Sequence, residues 1–102
     1  MSRNRIDHPT RHDVLCYYGH DHALGFFVEV FREGRSKPIK SIDFFTANKA
    51  TTVQQCFDLL IDQGFFTRDQ LQETLACLQD STTVPKTLQR VEGVVVGFRH
   101  ID

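Results

Sequence analysis

The apolar residues change period at Thr51, and that change constrains what the chain can fold into more than any other feature. Before it, "LGFFVEVFR", Leu24 to Arg32, is dense in phenylalanine and valine and reads as a strand, with residues two apart on one face. After it, Val53, Cys56, Phe57, Leu60 and Ile61 recur three and four residues apart, the stripe of one helix face. Strands in one block and helices in the next specify an α+β fold.

The strand block offers three segments: Val14–Tyr18, Leu24–Arg32 and Ile39–Phe45. "GHDH" separates the first two, and "EGRSKP" supplies turn chemistry before the third. Such short links favour an antiparallel meander. In the helical block, Thr51 with Gln54 or Thr52 with Gln55 fits a capping box, and Gly64 suits the position just past a helix end. Thr67 with Gln70 repeats the box ahead of a Leu71, Leu75, Leu78 stripe. The pattern predicts helices over Thr52–Gly64 and Thr67–Gln79, an αα-hairpin with Phe65 and Phe66 wedged in its link.

After the loop "STTVPKT", the segment Arg90–Ile101 reads as a last, central strand, because three consecutive valines leave it no polar face. The expected architecture is therefore an antiparallel four-stranded sheet in the order β-β-β-α-α-β, with the αα-hairpin packed on one face. Residues 1–12 are polar, contain Pro9 and show no periodicity. They are expected to be a flexible N-terminal arm, with residues 13–102 forming a single α+β domain.

At 102 residues the chain can bury a modest core without staples. No apolar run approaches the roughly 18 residues of a membrane helix, and no hydrophobic segment follows the N-terminal arginines. Cys16, Cys56 and Cys77 are odd in number and form no CxxC pair, so reduced thiols and a cytoplasmic location are expected.

The strongest functional signal is a surplus of apolar side chains. Phe26, Val28 and Val30 share one strand face, while Phe27 and Phe31 share the other with Glu29 between them. The first strand is likewise double-sided, with Leu15 and Tyr17 opposed to Val14, Cys16 and Tyr18. In the expected last strand Val95 opposes Val94, Val96 and Phe98. Two helices cover one face of a four-stranded sheet, which leaves Tyr17, Phe27, Phe31 and Val95 with no covering element. Burying one phenylalanine contributes about 1.5–3 kcal/mol, so these residues mark an association surface. The expected role is a small non-enzymatic interaction module, an adaptor, inhibitor or regulatory subunit. Its partner is a second copy in a homodimer or another protein, with no cofactor and no catalytic residue assigned.

Two other function classes have weaker support. If a strand continued through "GHDH", His20 and His22 would project about 7 Å apart from one face and could share a zinc ion. His12, Asp13, Cys16 or His100 would have to supply a third ligand, and the bracketing Gly19 and Gly25 suit a turn better. A metal-dependent or histidine-using enzyme centred on His20 and His22 is the first alternative, with Cys16–His20 as a nucleophile–base pair that nothing in the sequence activates. The second alternative is a nucleic-acid-binding module using Arg3, Arg5 and Arg11. A net charge of −1 weighs against it, and Asp69, Glu73 and Asp80 would repel phosphates from the second helix.

Overall fold

The computed structural model of the chain describes residues 2–21, 23, 25–44 and 51–99. Four strands, β1 (Ser2–Asp7), β2 (Val14–Asp21), β3 (Gly25–Arg32) and β4 (Lys40–Ile42), form one antiparallel sheet in sequential order. Helices α1 (Val53–Asp62), α2 (Arg68–Gln79) and α3 (Gln89–Arg99) follow, with a short 3-10 turn at Lys86–Leu88 leading into α3. The α+β class and the four-stranded antiparallel sheet match expectation, and so does the helix pair α1–α2. The element order does not, because the fourth strand lies at the N-terminus and the segment read as a C-terminal strand is helical.

Both differences have physical causes. Ser2–Asp7, expected to be a flexible arm, alternates Asn4 and Ile6 inward with Arg3, Arg5 and Asp7 outward. With only one aliphatic side chain it carries no hydrophobic alternation, and its strand conformation comes from pairing with β2 from Ser2↔His20 to Asp7↔Leu15. In α3, Val91, Val94, Val95 and Phe98 are each at most 2% exposed. Their spacing of three and four is a helical stripe, and its burial outweighs the strand preference of three successive valines.

The helix ends are set by local chemistry. Thr52 accepts from the Gln55 amide at 3.2 Å, and the Gln55 side chain accepts from the Thr52 amide at 2.9 Å, so Thr52 rather than Thr51 caps α1. Thr51 is buried instead, and its hydroxyl donates to the Phe26 carbonyl. Thr67 and Gln70 form the same box on α2. Past α1, Gly64 has φ 82°, its amide donates to Ile61 and the Phe65 amide donates to Leu60, a Schellman closure that turns the chain into the link.

Helix α1 packs against β3 and β4, α3 packs against β1 and β2, and α2 lies against α3. The core between sheet and helices joins Cys16, Tyr18, Val28 and Val30 to Cys56, Leu60, Phe65, Val94 and Phe98. Phe65 and Phe66 are buried in the α1–α2 link, as their position implies. On α2, Leu71 is buried, but Leu75 and Leu78 are only partly so; the fully buried position is Thr74, whose hydroxyl donates to the Gln70 carbonyl at 2.8 Å.

Candidate functional site

The pleat divides β2 and β3 into two faces of different environment. Val14, Cys16, Tyr18, Val28 and Val30 point into the helical layer and are at most 5% exposed. Leu15, Tyr17, Phe27, Glu29 and Phe31 point away from it and are half-buried, and no described helix packs over them. The cross-strand register fixes the layout of this open face. Arg5, Tyr17, Glu29 and Ser41 form its central row, with Arg3, Gly19 and Phe27 on one side and Asp7, Leu15 and Phe31 on the other.

The aromatic rings on this face are ordered by their neighbours. Tyr17 and Phe31 meet edge to face with centroids 5.8 Å apart. The Arg3 guanidinium lies 4.3 Å from the Tyr17 ring centroid, in cation–π geometry. Arg5 pairs with Asp7 at 3.0 Å in an exposed contact, and that hydrogen bond raises the Arg5 pKa above its ordinary value. Glu29, half-buried between two phenylalanines, has no ion-pair or hydrogen-bond partner among the described residues. The result is an apolar centre crossed by one row that has a cation at one end and a carboxylate near the other.

Of the residues expected on this surface, Tyr17, Phe27 and Phe31 share it. Val95 does not: it is 2% exposed on α3 inside the core. That assignment fails together with the C-terminal strand, since residue alternation has no meaning on a helix.

The histidine segment is the β2–β3 hairpin. Asp21 pairs with Gly25 and accepts from the Ala23 amide at 2.8 Å, which is turn chemistry. The His20 ring stands edge-on to Phe26 with centroids 4.6 Å apart. His22 and His100 lie outside the described residues, and among those described no group of three His, Cys, Asp or Glu side chains is placed to hold a metal. Asp13 faces Arg32 at 3.7 Å, and Cys16 is wholly buried. Burial pushes the Cys16 thiol up to about 12, with Cys56 adding to the shift, the opposite of what a nucleophile needs. Cys16, Cys56 and Cys77 are all free thiols.

Sequence reasoning missed His8, which anchors β1. Its Nδ1 accepts from the Thr10 and Arg11 amides at 3.2 and 2.9 Å, so the proton sits on Nε2, which donates to the Gln63 carbonyl at 3.0 Å. Arg90 on α3 joins the same seam, donating to the carbonyls of Phe65 and Asp7. A histidine followed by proline in a polar stretch carries no periodic signal, so only the tertiary partners reveal its role.

No helix among the described residues is long and apolar enough to cross a membrane. Comparison with protein-family models, curated proteins and solved structures gives no match.

Proposed function

We propose that this chain is a non-enzymatic protein-interaction module that binds through the open face of its sheet. The observation that carries this reading is the half-burial of Tyr17, Phe27 and Phe31 on a face that no described helix packs over. The core behind this face is already filled by the opposite set of side chains, so these rings are not needed to close it. The ordering of Tyr17 and Phe31 by edge-to-face and cation–π contacts lowers the entropy lost when a partner is bound. The chemistry of the described residues supports this role better than catalysis, because the buried thiols are held protonated, His20 packs in the hairpin and His8 serves the β1 seam.

The test is site-specific photocrosslinking in the native cell. A benzophenone side chain at Phe31 is expected to give a discrete protein adduct, and the same group at Glu73, exposed on α2, is expected to give none. Equal yields from both positions, or none from Phe31, would remove the open face as a binding surface.

A further inference from the structure

We propose that the partner on the open face is a second copy of this chain, packed sheet to sheet about a two-fold axis that runs parallel to β2. This rests on the interaction reading above and specifies its occupant. The argument comes from the order of charges across the sheet. Arg5, Tyr17 and Glu29 lie side by side on β1, β2 and β3, with the aromatic ring between cation and carboxylate.

A two-fold axis along β2 exchanges β1 with β3 across the interface. It places Arg5 against the partner's Glu29, Glu29 against the partner's Arg5, and Tyr17 against the partner's Tyr17. One operation thus pairs both charges of the row and makes two equivalent ion pairs, as an isologous contact requires. The same operation carries Arg3 toward the partner's Phe27, where a second cation–π contact can form. An axis across the strands instead lays β3 on the partner's β3. Glu29 then meets its own copy where the axis passes its row, and a phenylalanine where the axis passes half a repeat to either side. The central row therefore favours the axis along β2, which sets Asp7, exposed at the sheet edge, against the partner's Phe31.

Two further observations fit. Glu29 lacks an ion-pair partner within the described protomer, and the Arg5–Asp7 pair is exposed and readily exchanged. At a strand spacing of about 4.8 Å and a rise of about 3.3 Å per residue, the four strands present roughly 400 Å² in plan. Stable complexes usually bury about 800 Å² per partner, so the proposed dimer has to use the whole face.

The experiment is sedimentation equilibrium of the full chain with charge-reversed variants, helix content being followed by circular dichroism. The wild type is expected to dimerise. Glu29→Arg alone and Arg5→Glu alone should each weaken the dimer at least about ten-fold, and the double reversal should restore it to within about three-fold. A wild type still monomeric at about 500 μM overturns the proposal. So does a dimer that ignores the single reversals or is not rescued by the double one, because its contact then lies elsewhere. The two readings fail differently. If only the second copy is wrong, the photoprobe at Phe31 still forms an adduct, now with a different protein; if the interaction role is wrong, it forms none.

Discussion

Gly93 and Gly97 stand one helical turn apart on α3, and the structure assigns opposite outcomes to the same substitution at the two sites. A Cβ at Gly93 would meet nothing within 4 Å. Replacing glycine by alanine inside a helix gains about 0.8–1 kcal/mol, so Gly93→Ala should stabilise the protein by roughly that amount. A Cβ at Gly97 would lie 2.7 Å from Tyr18 Cε2, 3.0 Å from its hydroxyl and 3.2 Å from Cζ. The ring must retreat by about 0.8 Å to regain ordinary carbon contact. It has little room, since it packs against Phe98 at 5.0 Å between centroids and its hydroxyl donates to the Gly93 carbonyl at 3.2 Å. Overpacking of this kind costs about 1–3 kcal/mol, and losing the hydrogen bond adds about 0.5–1.5 kcal/mol. After the helix-propensity gain is subtracted, Gly97→Ala should lose about 1–3 kcal/mol. Urea titrations of both variants, followed by circular dichroism, measure the difference. A Gly97→Ala protein as stable as the wild type, or a Gly93→Ala protein that loses as much, would refute the close seating of α3 on β2.

Two further predictions follow from local chemistry. Ser81 holds φ 56° just past α2, where its amide donates to Leu78 and the Thr82 amide donates to Cys77, so it occupies the left-handed position of a Schellman closure. Ser81→Gly should raise the urea midpoint by the equivalent of about 0.5–1 kcal/mol, and a lowered midpoint would contradict that geometry. Burial pushes Cys16 and Cys56 up from an ordinary 9.0 to about 12, so between those values the unfolded chain has released protons that the native one still holds. Stability is then fully present below pH 9 and falls above it by about 1.4 kcal/mol per pH unit for each thiol, with Tyr18, raised by its own burial, joining from pH 10. Denaturant midpoints between pH 8 and 11 check the slope, which Cys56→Ala should reduce. A flat profile would mean that the thiols are not buried in this way.

Where a segment's own side chains carry its reason for folding, the sequence could be read. The capping boxes at Thr52 and Thr67 and the glycine at position 64 are local devices, and they set helix limits within a residue or two of those expected. The pleat of β2 and β3 was legible for the same reason, because each strand carries apolar residues on both faces. The two misread segments depend on distant partners. β1 offers Ile6 as its only aliphatic contribution and is held by β2, by the His8–Gln63 hydrogen bond and by Arg90. In α3 two periods overlap: residues 94, 96 and 98 alternate, while 91, 94, 95 and 98 make a helical stripe. Valine's strand preference supports the alternation, which leaves Val91 out of the apolar set. Over the whole segment the helical stripe takes in more of the apolar residues than the alternation does.

The candidate surface follows the same division, with a consequence for how it works. Tyr17, Phe27 and Phe31 were visible because a two-residue period assigns faces without knowledge of the neighbours. The charges that frame them were not, because Arg3 and Arg5 reach this face only once β1 pairs with β2. Remove that strand and the open face keeps its rings but loses both cations, leaving Glu29 between two phenylalanines without them. An unframed apolar patch associates with little regard to orientation, whereas in the dimer proposed above the row of cation, ring and carboxylate would accept a second copy in one orientation. On the proposed interface the N-terminal strand would thus add specificity to the apolar surface that β2 and β3 supply. His8 and Arg90, which pin that strand to the helices, support the site without touching it.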